Sequence, residues 1–123
     1  MAPSDYRGTT MSVSAAELTA KKCTACEGGT PPFTPEQIAA HLPAVPEWTL
    51  SDDGKLIRRK YKFKDFVSAM AFLQKVGALA EAEQHHPDLH LTGYRHAAVE
   101  LTTHAIGGLS ANDFIVAAKI DAL

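Results

Sequence analysis

Five of the six histidines fall between Glu81 and Phe114, in the stretch "EAEQHHPDLHLTGYRHAAVELTTHAIGGLSANDF". His85 and His86 stand where a long helical pattern meets Pro87, which cannot continue a helix, so both rings can leave from a loop. His104 lies at the far end of the last strand pattern. An antiparallel hairpin returns that end to the start of its partner strand, beside His85 and His86. Imidazoles titrate near neutral pH. Glu81, one helical turn before His85, and Asp113, near the following helix start, supply carboxylates to orient them, so the grouping points to general acid/base chemistry. Taken singly, a histidine is more often a surface or hydrogen-bonded structural residue, and only the convergence of three argues otherwise. His90 and His96 are assigned to surface or structural duty, and His41 to the exposed side of the first helix.

Rival chemistries find less support. Three histidines are enough for a catalytic zinc, but there is no H-E-x-x-H pair to present two of them on one helix face. No G-x-S-x-G nucleophile elbow occurs, and "AIGGLS" has neither the Walker lysine nor the dinucleotide spacing of a phosphate loop. Cys23 and Cys26 form a C-x-x-C pair that suits a zinc or a redox dithiol. A structural zinc needs four ligands and the chain has no second pair, so they read as two reduced thiols in a glycine-rich loop.

The elements that must position these histidines can be traced from local signals. Residues 1–33 are expected to be a flexible N-terminal extension carrying the C-x-x-C pair, or the remnant of a trimmed targeting segment, closed by the linker "EGGTPPF". The folded domain then spans 34–123. Thr34, Pro35 and Gln37 open a short helix expected to reach Leu42. "EWTLSDDGKLIRRKYKF" has the form of a hairpin turning at Asp52, Asp53 and Gly54, with its second strand running from Lys55 to Phe63 and the basic residues on a wet face. Asp65 caps the longest helix, whose stripe Phe66, Met70, Leu73, Gly77 and Ala80 is expected to cover a sheet. Two strands joined around Thr92 and Gly93 follow, and Ser110 with Asp113 opens the last helix. This order predicts an α+β fold, a four-stranded antiparallel sheet with about three helices packed on one face.

Composition agrees with one soluble domain. The chain has 123 residues, 46% hydrophobic and 21% charged, with a formal charge of -2 and a pI near 6.3. Such a balance gives no general attraction to nucleic acid, and no apolar run reaches the ~20 residues that span a bilayer. A cytoplasmic location is expected, or a plastid or mitochondrion if a transit segment has been removed.

In "EAEQHHPD" and "TTHAIGGLSANDF", together with "PEWTL", "YKFKDFVSAMAFLQKV" and "GLSANDFIVAAKI", the sequence resembles the pterin-4a-carbinolamine dehydratase family over nearly the whole domain. The resemblance implies dehydration of 4a-hydroxytetrahydropterin to quinonoid dihydropterin, downstream of aromatic amino acid hydroxylases. It implies no metal or other cofactor, and a homodimer or homotetramer. By the same resemblance His85, His86 and His104 are the catalytic residues, with Glu81, Asp113, Trp48, Pro87 of "HHP" and Thr103 of "TTH" binding or orienting the substrate. Two other readings keep the fold: a pterin-binding or coactivator-type interaction module, and an enzyme of the same kind acting on a molybdopterin- or folate-related pterin.

Overall fold

A computed structural model of the chain describes residues 13–24 and 30–123. Four strands, β1 (Thr49–Leu50), β2 (Ile57–Lys62), β3 (Asp88–Thr92) and β4 (His96–Leu101), form one antiparallel sheet in the order β1-β2-β4-β3. The helices are α1 (Ala15–Thr19), α2 (Pro35–His41), α3 (Phe66–Glu83) and α4 (Ala111–Asp121), with short 3-10 turns at Leu42–Ala44 and His104–Ile106. The α+β architecture expected from the sequence is therefore present.

Alternation on β4 sets the layers. Ala97, Val99 and Leu101 are buried, and the register opposes Leu101 to Ile57 and Val99 to Leu89. Between them His96 is exposed, and Glu100 is ion-paired with Arg58 on the open face beside Lys60. The basic residues at 58, 60 and 62 thus line a wet face, as the strand pattern implied, but Arg59, expected there too, lies on the other side and pairs with Asp121 of α4. On the covered face lies α4, buried at every position from Asn112 to Ala118 and again at Ile120. It is packed by α1 and α3, and Phe114 and Val116 have no exposed surface. Each such side chain contributes roughly 1.5–3 kcal/mol when withdrawn from water, so α4 is the centre of the core.

Local capping produces the helix starts. The Thr34 hydroxyl accepts from the Gln37 N–H at 3.2 Å while Gln37 Oε1 accepts from the Thr34 N–H at 2.8 Å. Asp65 accepts from the Ser68 N–H at 2.8 Å. Helix α2 ends at His41, and the chain tightens into a 3-10 turn that takes in Pro43. Strand β2 is shorter than the pattern implied, because Ser51 gathers the N–H groups of Lys55 and Leu56 onto its hydroxyl and holds them in the turn.

Three expectations need correction. Part of the segment assigned to a flexible extension is helical and docked: Ser14 and Glu17 form a capping box, and Leu18 of α1 is fully buried. On α3 the covered face carries Ala69, Val76 and Ala80, whereas Phe66 is 52% and Met70 37% exposed. The stripe drawn through Phe66 and Met70 therefore leaves its first turns uncovered. His41 is not on an open surface; its ring lies 4.8 Å from that of Phe33 and 5.1 Å from that of Phe114.

Candidate active site

Three element ends meet at one cleft of about 360 Å³, lined by Gln84, His85 and His86 after α3, Thr102 to Ala105 after β4, Asn112 of α4, and Thr24. The end of α3 is set by Gln84, which adopts the left-handed conformation (φ 54°), while the His85 N–H bonds back to Ala80 O at 3.1 Å. The helix thus stops before Pro87 is reached. After β4, the Thr103 N–H donates to Gly108 O at 2.9 Å, closing a tight loop that presents His104. Gly108 is required there because a Cβ would sit 2.9 Å from Pro32 Cβ.

The cleft brings His85, His86 and His104 together, in different settings. Asp113 is fully buried, and its carboxylate accepts from His85 Nε2 at 2.6 Å, Thr103 Oγ1 at 2.8 Å and the Ser110 N–H at 2.9 Å. A buried carboxylate is costly unless its oxygens are satisfied, and here both are. Because the carboxylate accepts, Nε2 of His85 carries the hydrogen and Nδ1 is left as the acceptor of the neutral ring. His86 is exposed and pairs through Nε2 with Glu81 Oε1 at 2.8 Å. That hydrogen bond, followed by the charge on His86, holds the Glu81 carboxyl below its ordinary pKa. Among the described residues the ring of His104 has no hydrogen-bond partner, and it stands exposed at the cleft mouth.

Trp48 and Pro87 are placed elsewhere. Trp48 is 4% exposed in the core, with its indole N–H shared between the Asp121 oxygens at 3.0 and 3.2 Å, and does not line the cleft. Pro87 leads into β3 and is also absent from the lining. His90 is on the open sheet face, bonded to Glu100 at 2.9 Å, and His96 is exposed at the start of β4. Thr24, Gln84, Thr102 and Asn112 line the cleft but were not singled out from the sequence, where no motif marks them. Among the described residues, no group of three His, Cys, Asp or Glu side chains converges as a metal cage requires.

Behind this cleft is a second polar cluster. Glu83 accepts from Lys119 Nζ at 2.6 Å and from the Cys23 N–H at 2.9 Å. These bonds lower the Glu83 pKa, with the lysine's the larger influence. Burial pushes the Cys23 thiol up to about 12, with the Glu83 charge adding to it. Cys26 lies outside the described residues.

With this geometry in view, similarity to known proteins is informative. The sequence model of the pterin 4 alpha carbinolamine dehydratase family matches residues 31–123. A relative in Halorhodospira halophila, provisionally named a pterin-4-alpha-carbinolamine dehydratase, is 49% identical over 86% of this chain and 96% of its own length. Another with the same provisional name, in Methylococcus capsulatus, is 49% identical over 89% of this chain and 95% of its own. Among solved structures, a transcriptional coactivator/pterin dehydratase from Brucella melitensis superposes with a TM-score of 0.69 at 32% identity, covering 74% of this chain and 96% of that one. A pterin dehydratase-like protein identified as a RuBisCO assembly factor shares the fold alone, at a TM-score of 0.52 and 21% identity over 62% of this chain and 87% of that one. The chain therefore belongs to the pterin 4 alpha carbinolamine dehydratase family.

Proposed function

We propose that the chain removes water from a 4a-hydroxytetrahydropterin by histidine acid/base catalysis, without a metal, and so recycles the cofactor of an aromatic amino acid hydroxylase. In this step the C4a–O and N5–H bonds break, C4a=N5 forms, and the hydroxyl leaves as water once it is protonated. No oxidant or reductant is needed. Hydroxide is a poor leaving group, so a proton donor and a proton acceptor must both reach the ring, and imidazoles serve as either near neutral pH.

The observation that carries this reading is the convergence of His85, His86 and His104 on one cleft, two of them oriented by carboxylates. His85, held through Nε2 by buried Asp113, offers Nδ1 to take the N5 proton. His104, exposed and without a carboxylate partner among the described residues, delivers a proton to the hydroxyl and exchanges with solvent. His86, backed by Glu81, holds the ring in register. Thr103 acts through Asp113, to which it donates.

The test is stopped-flow loss of absorbance from chemically generated 4a-hydroxytetrahydropterin, comparing wild type, His86→Ala and His104→Ala, each with and without a chelator. Rapid turnover that survives chelation and collapses in both variants supports the reading. A wild type that only matches the spontaneous rate overturns it.

A homodimer or homotetramer belongs to the same proposal. Phe66, Val67 and Met70 at the start of α3 are 52%, 74% and 37% exposed, and a contiguous apolar surface of this kind suits burial against a second copy. A cytoplasmic site of action is proposed with it; among the described residues no helix is long and apolar enough to cross a membrane.

A further inference from the structure

One side of the histidine cleft is built by a segment that lies before the residues matched by the family model. That model begins at residue 31, yet Thr24 lines the cleft together with the ends of α3 and β4. The segment is attached at several points along its length. The Val13 N–H donates to Ala40 O of α2 at 3.0 Å, and Leu18 is buried where α1 packs on α4. Further on, the Cys23 N–H is held by Glu83 at 2.9 Å, and the Cys23 thiol meets Asn112 O at 3.6 Å.

Thr24 itself is clamped by the carboxamide of Asn112. Asn112 Oδ1 accepts from the Thr24 N–H at 3.1 Å, and Asn112 Nδ2 donates to Thr24 O at 2.6 Å. Both polar atoms of the side chain are thus used on the backbone of one residue. Asn112 is 5% exposed, which makes this a costly clamp to leave half made. It also directly precedes Asp113, the residue that holds His85. The first turn of α4 therefore carries both the orienting carboxylate of a cleft histidine and the clamp on Thr24.

We propose that Thr24, fixed by the bonds that hold Cys23 and Thr24 to Glu83 and Asn112, forms a wall of the ligand pocket and is a specificity-determining position against the bound pterin ring. This deepens the dehydratase reading and rests on it. The cleft's volume, about 360 Å³, falls within the range of small-ligand sites, and every lining residue except Ala105 carries a polar side chain, Thr24 among them. A wall pinned at its backbone orders no further chain when ligand arrives, so its contacts go into affinity.

The experiment measures equilibrium binding of 7,8-dihydrobiopterin, which is stable and lacks the reacting hydroxyl, to the full chain and to two variants. Thr24→Trp places an indole at an exposed position, so the core is not asked to accept it. Its dissociation constant is expected to rise roughly tenfold or more, on the scale by which a pocket rejects excess bulk, with the thermal midpoint held. Asn112→Ala releases the clamp and is expected to raise KM for dehydration by a larger factor than it lowers kcat, a split that general destabilisation does not produce.

Binding by Thr24→Trp within about twofold of wild type, well below that scale, overturns the wall. If wild type binds the pterin but does not dehydrate its 4a-hydroxy form, the catalytic reading falls, and the wall is still decided by the variants' binding. If wild type binds no pterin, both fall.

Discussion

Replacing Asp113 with asparagine tests the central claim about the site, because it keeps the shape of the side chain and removes its charge. The carboxylate accepts three hydrogen bonds, from His85 Nε2 at 2.6 Å, Thr103 Oγ1 at 2.8 Å and the Ser110 N–H at 2.9 Å, and is wholly buried. An amide can keep its oxygen toward Thr103 and Ser110 only by turning its NH₂ toward His85. His85 must then accept on Nε2 and carry its hydrogen on Nδ1, the atom assigned to take the substrate proton. Exchanging charge-assisted for neutral bonds costs about 1 kcal/mol each, or about 3 kcal/mol over the three. Relief of the buried charge's desolvation offsets part of this, leaving a net loss of about 1–3 kcal/mol. For a domain of this size that lowers the thermal midpoint by roughly 4–12 °C. The effect on turnover should be larger, about 10²-fold or more, because acid/base catalysis at a mispresented imidazole is largely lost. Urea unfolding and single-turnover dehydration at a temperature where both proteins are folded separate the two effects. A folded Asp113→Asn protein with kcat within about threefold of wild type, far short of that catalytic scale, would refute the tautomer argument.

Other predictions concern the parts that support the cleft. Leu18→Ala should destabilise the chain by about 2–5 kcal/mol, as truncation of a fully buried leucine does, measured by urea unfolding; an effect under ~0.5 kcal/mol would mean that α1 does not belong to the cooperative unit. At pH 8 the native Cys23 thiol should alkylate about a thousandfold more slowly than in the unfolded chain, since its pKa is pushed up to about 12 from 9.0; a Cys26→Ser background reports it alone. Glu83 has a folded pKa below its unfolded value, so its contribution to stability is present above about pH 4.3 and is lost as pH falls through the depressed folded value. The stability gap between wild type and Glu83→Gln should therefore be wide at pH 7 and narrow on acidification, and a gap independent of pH contradicts the pairing. Finally, Phe66→Lys with Met70→Lys should shift the sedimenting species toward monomer while leaving the fold intact, since both side chains are exposed in the single chain.

How far these features could be read from the sequence follows the range of the interactions that make them. The starts of α2, α3 and α4 were legible because a cap is a local event, written in Thr34, Asp65 and Ser110 and the residues that follow each within one turn. The sheet was legible because Ala97, Val99 and Leu101 alternate with polar neighbours. The covered face of α3 was legible only at Ala80, because Phe66, Met70 and Leu73 form a stripe no less apolar than Ala69 and Val76. Periodicity gives the spacing of a stripe and says nothing about whether the same chain covers it. Trp48 was drawn to the site by resemblance, yet its indole N–H is satisfied by Asp121, 73 residues away. Glu83 with Cys23 and Asn112 with Thr24 are likewise long-range pairs, separated by 60 and 88 residues, that no local pattern encodes. The capping box at Ser14 and Glu17 is a local signal of the same kind, but the polar residues around it carry no apolar stripe to mark the helix it opens.

Asp113 shows why a local signal can be read correctly and still understate a residue. Its position three after Ser110 is that of a capping-box acid, and Oδ2 does accept the Ser110 N–H. For that purpose glutamate or glutamine is the usual occupant. The other oxygen, however, reaches His85, and the Thr103 hydroxyl joins on the same side as the cap. A longer side chain would keep the helix start while moving the second oxygen off the imidazole. The shorter acid is thus explained by the cleft and not by the helix: Asp113→Glu should lose turnover, and should lose stability as well, because it crowds a fully buried site and leaves a carboxylate oxygen without its donor. Rigid support also follows from this arrangement. The carboxylate sits on the most deeply buried helix of the molecule, so the orientation of His85 is tied to the core.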